Sequence, residues 1–451
     1  MSSGSSVQVK SAALIPPSDP TQTHILKLSA IDSQLFLRFT IEYLLIYRLN
    51  GEEKEDIIGR VKAALGRALV PYYPLAGRVR ARPDGSCLEV VCRGQGAVFI
   101  EANADFTVSD FEKAPSYVTE WRQLLALQVT DVVAGAPPLV VQLTWLPDGV
   151  AVGVGFSHCI CDGVGSVEFL NLFAKLAAGG TGTGYTTATS RQVVSASTNF
   201  KPKPVWQRHI LDPTPFNKQE TKSQHLEFNR VTDLCKFMTR FTPDQLTPTS
   251  VTFHEWQINE LKNSIISTSQ LKPNSVTTFE AVSAHIWKTW AKALNFPPSQ
   301  TLKLLFSIDI RNRVKPSLPT GYYGNAIVLG CAQTTARELT EKPLSYAAKL
   351  ITEAKNRVDD NYVKEVVNSV SLNGASCVPD QVGVLILSQW SKLGLERVDF
   401  GMGRPVQVGP VCTDRYCILL PVHDHNRSLK VMLAVPSLAV DNYLDLITAV
   451  Q

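Results

Sequence analysis

Apolar and polar positions alternate over residues 6–15 (SVQVKSAALI), which predicts a strand, and the proline-rich PPSDPTQT that follows ends it. The segment ILKLSAIDSQLFLRFTIEYLLIYR leads to a stretch from about 53 to 69 in which Ile57, Ile58, Val61, Leu65 and Leu69 recur at helical spacing. Pro71 and Pro74 stop that helix, because proline has no amide hydrogen to continue the ladder. Residues 137–157 predict two strands about the turn Pro147-Asp148-Gly149, the second reading VAVGVGFS. A helix is expected at about 165–178, with Val167, Leu170, Leu172, Phe173 and Leu176 on its buried side.

Between the two halves the pattern breaks. The run GGTGTGYTTATS at 179–190 is small, polar and flexible, and the stretch to about 225 carries KPKPVW and DPTPFN. Residues 179–225 therefore read as a crossover linker. Beyond it a strand near 249–256 precedes a helix at about 257–267, and another helix covers TFEAVSAHIWKTWAKAL at 278–294. Strands are expected at LKLLFSIDI, NAIVLGCA, GVLILSQW, DRYCILLPV and LKVMLAV. Helices mixed with strands in two halves of similar size predict an α/β or α+β pair of domains, 1–178 and 226–451, with a cleft between them.

Composition narrows the class of function. A chain of 451 residues that is 44% hydrophobic can bury a large core, which excludes disordered, collagen-like and coiled-coil readings. Its 44 basic and 40 acidic residues leave a net charge of +4 with no basic arm, so nucleic acid and acidic membranes are not expected partners. The nine cysteines are odd in number and scattered, and the start MSSGSSVQVKSAALIPP lacks the pattern of a secretory signal. Reduced thiols in a cytoplasmic protein are expected. The most apolar region, 138–178, is interrupted by Pro147, Asp148, His158 and Asp162, so no membrane span is expected either.

Three segments carry candidate chemistry. In Ser157-His158-Cys159-Ile160-Cys161-Asp162-Gly163 an ionisable histidine stands where a strand ends and a glycine-bearing turn opens a helix. A histidine titrating near neutrality can take a proton from a hydroxyl or amine as it attacks a carbonyl. Asp162 would orient the imidazole or organise the turn. Two rival readings use the same residues: Cys159 or Cys161 as a nucleophile paired with His158, or zinc held by His158, these cysteines and His423-Asp424-His425. Both cysteines also fit as small buried filler. The second segment, Asp399-Phe400-Gly401-Met402-Gly403-Arg404-Pro405, has glycines for a tight backbone path and an aspartate able to pair with a cation. It lacks the spacing of a nucleotide-binding glycine loop. The third is Asp309-Ile310-Arg311-Asn312-Arg313, followed by Tyr322-Tyr323-Gly324-Asn325 at the start of a strand; its bland reading is a solvated basic turn with one ion pair.

Together, in this order and at these separations, HCICDG, DIRNR…GYYGN and DFGMGRP resemble the plant BAHD acyl-CoA-dependent acyltransferases. The match extends to Tyr73-Pro74-Leu75-Ala76-Gly77-Arg78, Pro204-Val205-Trp206-Gln207-Arg208, Thr278-Phe279-Glu280-Ala281 and Ala284-His285-Ile286-Trp287, covering nearly the whole chain. The resemblance implies two mixed-sheet α/β domains of the chloramphenicol acetyltransferase type, joined by a long crossover, with a solvent channel at their interface. It implies His158 as the general base in the channel, deprotonating an acceptor that attacks the thioester of acyl-CoA directly, without an acyl-enzyme. Asp162 would pair with an arginine, for which Arg311 is the candidate, and support structure, as would Asp399. The turn bearing Ser307, Asp309, Arg311 and Arg313 resembles the CoA-contacting segment, with Arg313 the freer cation for phosphate. Lys262 and Thr277 are further candidates on that side. Two departures stand out: Met402 replaces the family tryptophan, and Lys392 occupies the place where shikimate-acting members use an arginine to hold the acceptor carboxylate. The expected partners are acyl-CoA, as co-substrate, and a small-molecule acceptor, bound by a monomer with no permanent cofactor and no metal. An alcohol acceptor leads, with an amine as alternative. A non-catalytic binding member of the family, and a condensation domain whose first motif histidine is here Ser157, are more distant readings.

Overall fold

The structure is a computed structural model that describes residues 7–49, 51, 53–83, 87–111, 123–125, 127, 129, 131–179, 202–213, 225–242, 245–269, 275–373, 378–409, 416–422 and 427–449. In chain order its first half holds β1 (Gln8–Ile15), β2 (His24–Lys27), β3 (Thr40–Arg48), α1 (Lys54–Ala68), β4 (Arg78–Ala81), β5 (Leu88–Cys92), β6 (Ala97–Asn103), β7 (Leu139–Trp145), β8 (Gly149–Ser157) and α2 (Gly163–Ala177). Next come α3 (Phe237–Arg240), β9 (Leu246–Phe253), α4 (Glu255–Ser269), α5 (Thr278–Ala293), β10 (Thr301–Asp309) and β11 (Ile327–Thr335). The chain closes with α6 (Ala336–Glu341), α7 (Leu344–Arg357), α8 (Asp360–Asn373), β12 (Val384–Gln389), β13 (Gln407–Gly409), β14 (Tyr416–Pro421), β15 (Leu429–Pro436) and α9 (Val440–Thr448).

Two mixed six-stranded sheets organise these elements, in the orders β1-β6-β7-β8-β3-β13 and β11-β10-β12-β14-β15-β9, beside a small sheet β2-β5-β4. Each large sheet buries one face under helices. On the first, Tyr43, Leu45 and Tyr47 of β3 pack with Ile57, Val61 and Leu65 of α1 and with Phe169 and Phe173 of α2. The expected helical stripe of α1 is thus the buried one, and the chain leaves it just before Pro71, as a missing amide donor requires. On the second sheet, Leu304 and Phe306 of β10, Leu385 and Leu387 of β12 and Leu433 of β15 pack with Trp287 and Trp290 of α5. Because side chains alternate along a strand, Leu305, Ser307 and Asp309 of β10 and Ile386 and Ser388 of β12 project from the other face, toward the first domain.

The division at 226 needs correction. Strand β13 pairs with β3, Gln407 opposite Ile46, and so completes the first sheet from late in the chain. Leu395, Val398, Phe400 and Met402 likewise join the first-domain core, so the DFGMG motif belongs to that core and not to the second domain. Met402 stays buried among these residues, filling with a flexible side chain the place of a larger ring. In the crossover, 202–213 are described and 180–201 and 214–224 lie outside the described residues. Among the described residues no helix is long and apolar enough to cross a membrane.

Candidate active site

His158 follows β8, whose every residue is buried, and its backbone amide donates to Phe39 O at 2.9 Å. Its ring packs edge-on against Phe39, with centroids 5.0 Å apart. The Nδ1 atom lies 2.9 Å from Asn325 Oδ1. Asn325 Nδ2 donates both to Asp32 Oδ1 at 2.8 Å and to His158 O at 2.6 Å, so the amide orientation is fixed by its donors. The oxygen facing the ring only accepts, hence Nδ1 carries the hydrogen and Nε2, on the opposite edge, keeps the lone pair. Burial holds the imidazole pKa below its ordinary value, favouring the neutral form. The geometry therefore supplies a neutral imidazole of defined tautomer, oriented by an amide and not by Asp162.

Asp162 turns away from the imidazole. It caps α2 by accepting Gly165 N at 3.0 Å, takes Arg311 Nη2 at 2.9 Å and accepts Ala326 N at 2.9 Å. Burial alone would raise its pKa, but the Arg311 charge and these hydrogen bonds together hold it below the usual carboxylate range. The expected Asp162–Arg311 pair is thus present, tying the first residue of the α2 turn to the strand entry of the second domain. Gly165 permits this approach: a Cβ there would meet Tyr323 O at 2.0 Å.

A second network sits behind the imidazole. Asp32, fully buried, accepts from Ser29 Oγ at 2.7 Å, from Asn325 N at 3.0 Å and from Arg208 Nη1 at 3.3 Å. Arg208, from the crossover, also donates to Ile160 O at 2.7 Å, and its guanidinium lies 4.2 Å from the Trp206 ring centre. Asp32 and Arg208 have no role in the sequence reading, and neither does Asn325. The signal for Arg208 and Asn325 is confined to the short stretches PVWQR and GYYGN, whose partners lie far away in the chain, and Asp32 lies in neither.

His158, Ser307, Asp309 and Arg311 line one cavity of about 660 Å³ between the domains. The other expected contacts are placed elsewhere. Arg313 donates to Lys355 O at 2.8 Å and Val358 O at 2.7 Å, closing the C-terminal end of α7, and it does not line the cavity. Arg311 is engaged as well, with Asp162, Asp309 and the carbonyls of Tyr322 and Gly324. Thr277 is the N-cap of α5 in a capping box with Glu280, a helix-starting role. Lys262 lies on α4 and Lys392 on an exposed turn, and neither lines the cavity. Asp399 accepts Gly401 N at 2.7 Å and Gly403 N at 2.9 Å, holding two glycines with φ of 88° and 83°; the expected cation partner is replaced by these amides.

Neither cysteine beside His158 has the character of a nucleophile. Burial pushes the Cys159 thiol up to about 12 and the Cys161 thiol higher still, so both stay protonated near neutrality. Among the described residues no group of three or more His, Cys, Asp or Glu is placed to hold a metal ion; His423, Asp424 and His425 lie outside them.

The sequence model of a family described as "Transferase family" matches residues 5–443. The omega-hydroxypalmitate O-feruloyl transferase of Arabidopsis thaliana is 32% identical over 443 residues, covering 96% of this chain and 91% of that protein. The fatty alcohol:caffeoyl-CoA acyltransferase of the same plant is 30% identical over 439 residues, covering 96% and 95%. Among solved structures, vinorine synthase superposes with a TM-score of 0.72 at 19% identity, covering 99% of this chain and 98% of that one, a likeness of fold.

Proposed function

Because the chain belongs to the Transferase family, the BAHD acyl-CoA acyltransferases, we propose that it moves an acyl group from CoA to the hydroxyl of a small acceptor, with His158 as general base. The observation that carries the reading is the contact of His158 Nδ1 with Asn325 Oδ1 at 2.9 Å, an oxygen that only accepts, which puts the hydrogen on Nδ1 and leaves Nε2 as the basic nitrogen of a residue lining the cavity. Nε2 takes the proton of the acceptor hydroxyl as its oxygen attacks the thioester carbonyl. The tetrahedral intermediate then collapses with cleavage of the C–S bond, and the imidazolium returns the proton to the departing thiolate. The transfer is direct. The names of the two relatives support an alcohol acceptor, one joining a feruloyl group to hydroxypalmitate and the other a caffeoyl group to a fatty alcohol, and the second also names a CoA donor.

The test is to incubate purified protein with panels of acyl-CoAs, alcohols and amines, following free CoA and identifying products by mass. Ester formation with stoichiometric CoA release is expected; amide formation alone would replace the alcohol by an amine, and CoA release in no combination would favour a non-catalytic member.

Two substitutions separate the parts of the mechanism. Asn325→Ala removes the group that fixes the ring, and kcat should fall by about 10–100-fold, the scale on which ring-orienting partners act. KM should move little, and a thermal melt run alongside separates this from loss of fold. An unchanged kcat would remove Asn325 from the positioning role. Cys159→Ser and Cys161→Ser should retain most of the turnover, because both thiols are protonated and no covalent step uses them. An acylated cysteine trapped during turnover would reverse that view.

A further inference from the structure

The cavity that holds His158 extends well beyond the reacting groups. Leu35, Leu37, Phe39 and Ile41 of the first domain wall it near the imidazole. On the second sheet Leu305 is paired with Ile386, and Ile386 with Tyr416, so these three side chains stand in a row on the face turned to the first domain. All three line the cavity, and Ala434 of β15 does too. The lining then passes to Phe237, Met238 and Phe241 around α3 and to Trp290 of α5. Phe237 and Trp290 belong to the core on the opposite side of the second sheet. Met238 is 42% exposed, which brings this end of the cavity to the protein surface.

Polarity is distributed unevenly along this path. Ser307, Asp309 and Arg311 line the cavity with His158, whereas the far arm is walled mainly by aliphatic and aromatic side chains, with Asp380 and Gln381 its polar members. The carboxylate on that side, Asp380, is occupied by the backbone amides of Val231 at 2.6 Å, Gln381 at 2.8 Å and Val382 at 3.4 Å. A volume of about 660 Å³ suits a ligand of drug-like size. An apolar wall of this extent gains from excluding water only when apolar surface covers it.

We propose that this arm holds the extended aliphatic chain of one of the two substrates, with its ester-forming end at His158 and its far end toward Met238. The assignment rests on the acyl-transfer reading of the site and names the substrate chemistry that site takes. Either the alcohol or the acyl group can carry such a chain, and the experiment separates the two.

Initial rates are measured for linear primary alcohols of increasing length with one fixed acyl-CoA, and for linear acyl-CoAs of increasing length with one fixed alcohol. The kcat/KM should climb by about fourfold per added methylene until the arm is full, as transfer of each methylene from water predicts. A climb in the alcohol series assigns the arm to the acceptor, and a climb in the acyl-CoA series assigns it to the donor. Flat dependence in both series overturns the proposal while leaving the acyl-transfer reading standing. Met238→Trp should lower the ratio of long-chain to short-chain kcat/KM by about tenfold or more; an unaltered ratio places the chain elsewhere. In the His158→Ala protein, calorimetric Kd values for the same alcohols and acyl-CoAs read the arm without turnover. Absence of any product from wild-type protein defeats the acyl-transfer reading alone, and a Kd independent of chain length in both series defeats the arm.

Discussion

His158→Ala should lower kcat by about 10²–10⁴-fold while leaving the fold intact, the range over which positioned proton transfer contributes. The loss is confined to the chemical step because the surrounding frame, from Asp32 to Asn325 and Arg208, does not depend on the imidazole for its other hydrogen bonds. The wild-type pH profile carries a second signature. A general base acts only when neutral, and burial holds the His158 pKa below the ordinary value. Turnover should therefore be fully present at neutral pH and fall on acidification, with its inflection below the ~6.5 of an unperturbed histidine. Steady-state rates of both proteins from mildly acidic to neutral pH make the check. Wild-type-like turnover in the folded variant would end the general-base assignment, and an inflection above that value would contradict the burial argument.

The second large effect is on stability. Asp162→Asn should destabilise the protein by about 3–5 kcal/mol, since Arg311 then stays in place with no buried anion opposite. The carboxylate side chain is 1% exposed and the guanidinium 14%, so solvent compensates little. Denaturant titration of both proteins measures the difference, and an Arg311→Leu background should shrink it because the pair is already broken. The sign with pH follows from the direction of the shift: the Asp162 pKa is lowered by folding, so its contribution is present above the unfolded value of ~3.9 and lost as pH falls through the folded one. If Asp162→Asn melts like wild type and instead shifts the pH profile of turnover, the aspartate acts on the imidazole and the architectural account is wrong.

What the chain discloses about itself depends on how local each cause is. The strand before His158, the helix after it and the glycines between them are set by neighbours in sequence, and the alternation of β8 with the stripe of α2 reads directly. Helices α7 and α8 escaped notice for a physical reason. The buried face of α7 is built from Ala347, Ala348, Ile351 and Ala354, whose small side chains give weak apolar contrast. Arg313 reads from its local sequence as half of a basic pair, whereas the carbonyls it donates to lie 42 and 45 residues onward. Asn325 and Asp32 are 293 residues apart, and nothing in either stretch announces the other. The motif histidine was legible; what orients it was not.

Strand β13 carries a consequence for how the protein is made. β3 is flanked by β8 on one side, and its other edge is covered by residues 407–409. On the ribosome, β8 has been synthesised long before these residues exist. At about 5–20 residues per second, tens of seconds pass between the two. Throughout that interval the first half of the chain carries an uncovered strand edge at Leu44, Leu45 and Ile46, the kind of surface that recruits another unfinished chain. Slower synthesis lengthens the exposure and crowded polysomes multiply the encounters, so yield of soluble protein in a foreign host is governed by translation rate and chaperone supply as well as by the stability of the finished molecule.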